Sequence, residues 1–259
     1  MDIAGPPDSA LDVLIELGAL DVEPSTGGLA AILPDSVQPA AVARALRGAA
    51  ITISTAQGRD SGSVWLVSAR TLHAGGIMVV PAGIDAPEEA LRLADSGAFG
   101  TGHHPTTALC LEALAGIIAD DHPRSILDVG TGSGILALAA LLLGVDRATA
   151  IDIDRAAIEA AAANARLNQL HRRLRLITGT PDTIKGTWPL VVANVLAAPL
   201  IEMASVLVRR LEHRGRLILS GIPRSLEAEV RLAYRHLGVH CIDSQTRDGW
   251  TALIGQASW

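Results

Sequence analysis

Residues 125–140 read SILDVGTGSGILALAA, an apolar run, three alternating glycines and a second apolar run. The first run predicts a buried strand, the glycines a tight turn, and the second run the beginning of a helix. In an open α/β sheet, such a strand–turn–helix unit is where a ligand binds. Gly130, Gly132 and Gly134 are spaced G-x-G-x-G, whereas dinucleotide-binding turns have the spacing G-x-G-x-x-G. The stretch therefore predicts an α/β fold with a ligand held close to the backbone of the turn.

The same alternation of apolar runs and helical patterns continues to the C-terminus. It is typical of a mostly parallel sheet that is covered on both faces. The last two runs are separated by TRDG, whose Asp-Gly pair predicts a hairpin. We therefore expect a Rossmann-like sheet of seven strands with an antiparallel terminal pair. The runs are 125–129, 147–152, 174–178, 190–194, 216–220, 240–244 and 250–256, and the helical patterns are 135–143, 155–167, 200–211 and 226–237.

The first sixty residues mix short helical and strand patterns, which predicts a small α+β domain. The helical patterns are at Ser9–Leu17 and Gln38–Leu46, and the strand patterns are near Gly28–Leu33 and Ile51–Thr55. The segment that follows is rich in Gly, Ala and Pro at its joins, as a linker with one or two short strands would be. We expect a recognition domain at 1–60, a linker at 61–95 and a ligand-binding domain at 96–259.

Composition excludes several classes of protein. The 259 residues have a formal net charge of −6, which argues against direct binding of nucleic acid. The longest apolar run, ILALAALLLGV, is shorter than the roughly 20 residues that a membrane helix needs. The first residues lack the pattern of a signal peptide, and Cys110 and Cys241 are too few for a disulfide framework. We therefore expect a soluble cytoplasmic protein with no membrane partner.

Polar residues at three strand ends indicate the ligand. Asp128 lies where a dinucleotide would bring its pyrophosphate, so an adenosyl ligand with an ammonium and a sulfonium group suits it better. Asp152, twenty-two residues after Gly130, can accept hydrogen bonds from two ribose hydroxyls. Asn194 can hold an amine through its amide oxygen. The alternatives are that Asp152 belongs to a helix cap and that Asn194 caps the following turn.

A second glycine-rich stretch, GAFGTGHHPTTALCLEA, spans residues 97–113. The adjacent His103 and His104 suggest a metal, but no Cys, His or acid follows at ligand spacing, so we expect no metal site. A phosphate-binding loop of the form G-x-x-x-x-G-K-[ST] is absent from the sequence. Thr106 and Thr107 precede an apolar helical pattern and could form its N-cap.

This stretch, together with ILDVGTGSGILALAA, AIDIDRAAIEAAAANARLN and VVANVLAAPL, closely resembles the ribosomal protein L11 methyltransferase family (PrmA type). The resemblance covers about residues 91–256 and is loose further upstream. It implies a class I methyltransferase domain, S-adenosylmethionine as the cofactor, and ribosomal protein L11 as the substrate partner. We expect the enzyme to be a monomer. His103 departs from the family, which has threonine at this position in GTGTHPTT.

The resemblance also implies roles for individual residues. Thr107, Gly130, Asp152 and Asn194 would contact S-adenosylmethionine. The residues that would form a loop over cofactor and substrate are Phe99, Gly100, Thr101, Gly102, His104, Pro105 and Thr106. From these residues and the glycine turn we predict a cofactor site of Phe99, Gly100, Thr107, Asp128, Gly130, Gly132, Gly134, Asp152 and Asn194.

Methyl transfer from a sulfonium needs a free lone pair on the acceptor and a well-aligned approach. We therefore predict that the catalytic residues are Asn194, Thr106 and His104, with His104 relaying a proton from the substrate amine. Three other functions remain open from the sequence. They are a methyltransferase for a small molecule, a nicotinamide-dependent oxidoreductase, and an adaptor that binds S-adenosylmethionine without turnover.

Overall fold

The structure, a computed structural model, divides into two compact units, Met1–Ser68 and Ala69–Trp259. In the second unit it describes residues 71–94 and 105–259 continuously. In the first unit it describes residues 2–4, 14, 17, 21–25, 28–33, 37–46 and 50–52. The bounds 1–60, 61–95 and 96–259 expected from the sequence stay a prediction.

The first unit contains an antiparallel sheet and a short helix. The helix begins with a proline, whose missing N–H costs nothing at that position, and Val42 and Leu46 are buried. The described part of this unit agrees with the strand and helix patterns found after residue 27, whereas most of Ser9–Leu17 lies outside the described residues. The elements are β1 (Asp2–Ala4), β2 (Asp21–Ser25), β3 (Gly28–Ile32), α1 (Pro39–Ala45) and β4 (Ala50–Thr52), with the strand order β2-β3-β1-β4.

The second unit begins with a small sheet of three strands, where the sequence predicted one or two. The strands are β5 (Leu72–Ala74), β6 (Ile77–Pro81) and β7 (Leu91–Leu93). Strands β5 and β6 form a hairpin and are antiparallel, while β6 and β7 are parallel. Ile77, Val79, Leu91 and Leu93 are buried in the same core as the helices described next, so this small sheet is part of the larger unit.

The large sheet has seven strands in the order β10-β9-β8-β11-β12-β14-β13. All pairs are parallel except those of β14, which is antiparallel to both of its neighbours. The expected Rossmann-like α/β sheet with its antiparallel terminal pair is confirmed. The elements are α2 (Pro105–Asp121), β8 (Ser125–Val129), α3 (Ile135–Leu142), β9 (Arg147–Asp152), α4 (Arg155–Leu167), β10 (Leu174–Thr178), β11 (Trp188–Asn194), α5 (Ala197–Glu202), α6 (Ala204–Val208), β12 (Leu211–Pro223), α7 (Glu227–His236), β13 (Val239–Arg247) and β14 (Trp250–Ala257).

The core lies on both faces of this sheet. Because successive side chains of a strand point to opposite faces, Ile126 of β8 joins the cluster under α2 and α3, and Leu127 joins the cluster under α5, α6 and α7. Both side chains are fully buried. Burial on both faces explains why the strands read as continuous apolar runs.

The helical pattern at Leu200–Leu211 does not form one helix, so that prediction is wrong. Helix α5 ends at Glu202, Met203 leaves the helical conformation, and α6 follows. The hydroxyl of Tyr234 donates a hydrogen bond to the Leu200 carbonyl at 2.8 Å, which a continuous helix would have used within its own backbone. Among the described residues, no helix is long and apolar enough to cross a membrane.

Candidate active site

The candidate site lies where β8, β9 and β11 end. Strand β8 pairs with β9 on one side and with β11 on the other. The strand order therefore runs outward from β8 in both directions, toward β9 on one side and toward β11 on the other. Such a switch point leaves a crevice outside the carboxyl ends of the strands, and ligands bind there.

The glycine turn after β8 has a conformation that requires glycine. Gly130, Gly132 and Gly134 have φ angles of +71°, +52° and +84°, in the left-handed region that is costly for residues with a Cβ atom. The N–H groups of Gly130 and Thr131 donate to the Ile151 carbonyl at 2.9 and 3.1 Å. These bonds fasten the turn to the end of β9, so the glycine turn and Asp152 form one rigid edge.

Asp128 is fully buried beneath the turn. Its Oδ2 accepts hydrogen bonds from the Thr131 hydroxyl at 2.6 Å and from the Ala137 N–H at 3.2 Å, while its Oδ1 is buried without a partner among the described residues. Burial raises the pKa of this carboxyl to about 6, against the opposing effect of the two hydrogen bonds. Through these two hydrogen bonds the Asp128 carboxyl supports the glycine turn and the start of α3. Its contact with the cofactor stays a prediction.

Asp152, the last residue of β9, and Asp154, two residues later, make different hydrogen bonds and have different roles. The half-buried carboxylate of Asp152 accepts from the Gly132 N–H at 2.9 Å with Oδ2 and from the Asp154 N–H at 3.0 Å with Oδ1. Asp154 is the N-cap of α4, accepting from the Ala156 N–H at 2.8 Å. The cap that the sequence left as an alternative therefore belongs to Asp154, and each oxygen of Asp152 keeps a lone pair for a further donor.

Asn194 and Thr107 meet at the same edge of the sheet. The Asn194 Nδ2 donates to the Thr107 hydroxyl at 3.4 Å. This contact is part of the docking of α2 on the sheet, where the Ser220 hydroxyl also donates to the Thr106 carbonyl at 3.3 Å. Helix α2 begins at Pro105, so Thr106 and Thr107 lie in its first turn and not at the N-cap position.

Asn194 does not cap the helix that follows it. Helix α5 begins at Ala197, and its N-cap residue, Leu196, has no side-chain cap. Pro199 is the third residue of this helix and lies in its first turn. The amide group of Asn194 is therefore directed toward α2, with its nitrogen used by Thr107.

The predicted site residues Phe99, Gly100 and His104 lie outside the described residues, as do Thr101, Gly102 and His103. Their roles stay predictions. In the ranges that the structure describes, no three side chains of His, Cys, Asp or Glu are grouped to hold a metal ion.

Three residues of this edge were not predicted from the sequence. Thr131 supports Asp128, and its only sequence signal is a hydroxyl between two glycines. Ile153 follows Asp152 and is 76% exposed, so it offers an apolar surface beside the carboxylate. Asn164 donates to the Ser133 carbonyl of the turn at 2.8 Å. Its signal is the repeat of asparagine four residues later, in NARLN.

Two clefts of the described chain lie away from this edge. One, of about 320 Å³, is lined mainly by residues of α7, including Arg231 and Arg235. The other, of about 260 Å³, is lined by Asp121, Pro189 and Arg216, at the opposite edge of the sheet. Neither includes a residue of the glycine turn. The polar groups at the switch point, in contrast, have the chemistry that a nucleoside ligand needs.

The sheet order, the glycine turn and the carboxylate at the end of β9 together define a class I methyltransferase fold. A family model described as ribosomal protein L11 methyltransferase (PrmA) matches residues 42–258. The chain belongs to this family.

Individual relatives agree with the family match. The ribosomal protein L11 methyltransferase of Pelobacter propionicus is 38% identical over 211 residues, which are 78% of this chain and 68% of the relative. That of Myxococcus xanthus is 35% identical over 225 residues, 82% of this chain and 74% of the relative. A solved ribosomal protein L11 methylase from Lactobacillus delbrueckii subsp. bulgaricus superposes with a TM-score of 0.66 and 30% identity, covering 71% of this chain and 95% of that chain.

Proposed function

We propose that this protein transfers methyl groups from S-adenosylmethionine to amine nitrogens of ribosomal protein L11, on lysine side chains and at the N-terminal amine. The observation that supports this best is the convergence of Asp152 and the Asn194–Thr107 pair on one sheet edge, around the glycine turn. The named relatives are ribosomal protein L11 methyltransferases, and the residues at this edge have the chemistry that such a reaction needs.

The donor groups of the edge fit the cofactor. Each oxygen of Asp152 accepts one backbone N–H and has capacity for one ribose hydroxyl. The exposed Ile153 offers an apolar surface for the adenine base. Asp128 adds a buried negative charge under the turn, which favours the ammonium and sulfonium groups and would repel a pyrophosphate. We therefore assign the ribose to Asp152 and the backbone approach to Gly130, Gly132 and Gly134.

S-adenosylmethionine supplies an activated methyl group, and its transfer requires no nucleophile from the protein. The contribution of the chain is positioning, which can lower such a barrier by roughly 7–11 kcal/mol. Because the Asn194 nitrogen is used by Thr107, Asn194 Oδ1 can accept a hydrogen bond from the substrate amine and direct its lone pair.

The amine must lose a proton before it attacks, since the reference pKa of lysine is about 10.4. A site that excludes water and offers carbonyl acceptors favours the neutral amine. We assign the proton relay to His104 and the covering of the amine to the segment that contains Phe99, Gly100 and Thr106. These assignments, the monomeric state, the absence of direct nucleic-acid contacts and the cytoplasmic location remain predictions.

Among the alternatives, a small-molecule methyltransferase would use the same edge with another acceptor. A nicotinamide-dependent oxidoreductase is disfavoured by membership of a methyltransferase family and by the buried charge of Asp128. An adaptor without turnover would bind the cofactor and transfer nothing, so transfer itself has to be measured.

The test is transfer of labelled methyl groups from S-adenosylmethionine to purified, unmethylated L11, with mass mapping of the labelled residues. We expect label on lysine side chains and on the N-terminal amine. Asp152→Ala should weaken cofactor binding by about 1–3 kcal/mol, because it loses the ribose acceptors. Asp154→Ala is the matched control, since it removes the same charge from the same edge but affects only the helix cap.

The outcomes separate the candidate functions. Cofactor binding without label on L11 would contradict the L11 assignment. Transfer of label to a small molecule would then indicate the small-molecule methyltransferase, and no transfer to any acceptor would indicate the adaptor. Equal loss of cofactor affinity in Asp152→Ala and Asp154→Ala would show that charge alone matters, and Asp152 would no longer be assigned to the ribose.

A further inference from the structure

The side chain of Asn164 connects two parts of the candidate site that are far apart in sequence. It belongs to α4 and is fully buried. Its Nδ2 donates to the Ser133 carbonyl in the glycine turn, and its Oδ1 accepts from the Ala94 N–H, each at 2.8 Å. Since one partner is a carbonyl and the other an N–H, the donor and the acceptor of the amide satisfy both in this orientation.

Ala94 has a special position in the chain. It follows β7, and the segment between Ala94 and Pro105 includes the glycine-rich residues 97–104. The far end of that segment enters α2, where Thr107 contacts Asn194. Asn164 therefore holds the backbone of Ala94, five residues before Phe99, the first residue that the family resemblance assigns to the cofactor and substrate loop.

A second asparagine completes the attachment of β7. Asn168, directly after α4, accepts from the Arg92 N–H at 2.8 Å and donates to the Arg92 carbonyl at 2.7 Å. Four residues of a helix rise about 6 Å, and two residues of a strand rise about 6.6 Å. Because these lengths agree, Asn164 in α4 and Asn168 directly after it meet backbone groups two residues apart, at Ala94 and Arg92.

Helix α4 also contacts the glycine turn directly. A Cβ atom on Gly134 would lie 3.0 Å from the Cβ of Ala161, three residues before Asn164. The alanine-rich face of α4 thus allows a close approach, and the Asn164 amide adds a hydrogen bond to it. Asn168 reaches β7 and the Asn164 carbonyl but makes no described hydrogen bond to the turn.

We propose that Asn164 is a positioning residue for methyl transfer, which couples the glycine turn to the backbone of Ala94 directly after β7. The proposal rests on the proposed function for its cofactor. Asn164 holds the Ser133 carbonyl and the Ala94 N–H simultaneously, so loss of its amide releases both backbone groups. Asn168, in contrast, only holds β7 in place.

The test compares three variants of the full chain by calorimetric binding of S-adenosylhomocysteine, at a temperature where each is folded. Asn164→Ala removes both hydrogen bonds. Asn164→Asp keeps an acceptor for Ala94 but replaces the donor to Ser133 with a repelling oxygen. Asn168→Ala, at the residue that directly follows α4, is the matched control. We expect a rise in Kd of about tenfold or more for both Asn164 variants and less than about twofold for Asn168→Ala, as for other residues that orient ligand-binding groups.

Hydrogen exchange on the unaltered protein provides a measurement that does not depend on variant folding. Binding of S-adenosylhomocysteine should slow exchange of the Ala94 amide more than that of the Arg92 amide, which donates to Asn168. Failure of the unaltered protein to bind S-adenosylhomocysteine would contradict the proposed function itself.

If the unaltered protein binds, other results overturn the role of Asn164 alone. These are an unchanged Kd in folded Asn164 variants, an equal loss in Asn168→Ala, or equal changes in exchange at both amides.

Discussion

Asp128 is a carboxyl group whose pKa is raised toward neutral pH by its burial. The side chain is fully buried, one oxygen has no described partner, and its pKa is raised to about 6 from an ordinary value of 3.8. The folded state therefore binds a proton more tightly than the unfolded state does. As pH rises from about 4 through 6, this group should lower the free energy of unfolding by about 3 kcal/mol in total.

We predict that Asp128→Asn removes this dependence. The amide cannot ionise, so the variant should gain stability relative to the unaltered protein as pH rises from 4 to 6, with a constant difference above that range. Urea unfolding at several pH values measures the difference. A difference that does not vary with pH would contradict the raised pKa, and a ¹³C titration of the Asp128 carboxyl checks the midpoint directly.

The same variant separates stability from ligand binding. If the Asp128 charge attracts the cofactor, Asp128→Asn should weaken binding of S-adenosylmethionine above pH 6. Below about pH 5 the unaltered protein has largely lost that charge, so the two affinities should converge. This carboxylate would then lower stability at neutral pH while serving the site, which is common for functional residues.

Some residues of the site could be predicted from the sequence and others could not. Asp152 and Asn194 end apolar strands, and parallel strands bring such ends together, so local patterns were sufficient. Thr131 donates to the buried carboxylate of Asp128. Asn164 binds main-chain groups of Ser133 and Ala94, which are 31 and 70 residues away. Residue type gives no signal for such partners, because any chain segment supplies carbonyl and N–H groups.

At the scale of elements, the predictions were best where burial alone decides the structure. Strands β8, β9 and β10 and helix α4 have the predicted bounds. Their apolar runs are bounded by clear signals, such as Gly130 after β8 and Asp154 before α4. The break between α5 and α6 depends on Tyr234, 34 residues from Leu200. Strand β7 has only three residues. Much of its attachment comes from Asn164 in α4 and Asn168 directly after it, and strand propensity gives no signal for such contacts.

Strand β12 contains a glycine whose close contact with the residue directly after β11 fixes the position of Asn194. The pairing of β12 with β14 is irregular between Leu219 and Ile222, as expected for a bulge near a glycine within a strand. At this bulge Gly221 has a φ of +83°, and a Cβ atom there would lie 2.2 Å from the Val195 carbonyl oxygen. Because Val195 follows Asn194, a displacement at this contact moves the predicted catalytic amide.

We predict that Gly221→Ala lowers both stability and turnover. Gly76→Ala is the matched control, since Gly76 has a φ of +74° but open space around its position. Both variants should lose about 1–2 kcal/mol through backbone strain, and Gly221→Ala should lose more and turn over about tenfold more slowly through displaced Asn194. Equal unfolding free energies, with full turnover in Gly221→Ala, would show that the close contact relaxes without moving Asn194.

At the scale of the whole molecule, the described cofactor residues all belong to one of the two units. Thr107, Asp152 and Asn194 lie in Ala69–Trp259, and the residues on both faces of the large sheet form cores within that unit. A unit with its own core can fold alone. Recognition of L11, in contrast, is predicted for residues 1–60, so binding of cofactor and recognition of substrate should be separable.

We predict that the piece Ala69–Trp259 binds S-adenosylhomocysteine within about twofold of the full chain, because each proposed cofactor contact is retained. Its kcat/KM for L11 should fall by about a hundredfold, since loss of a recognition surface worth about 3 kcal/mol has that effect. Calorimetry and labelled methyl transfer measure the two quantities on the same preparations. If the piece methylates L11 as efficiently as the full chain, recognition does not reside in residues 1–60, and the acceptor must be selected at the sheet edge by Asn194 and the residues before α2.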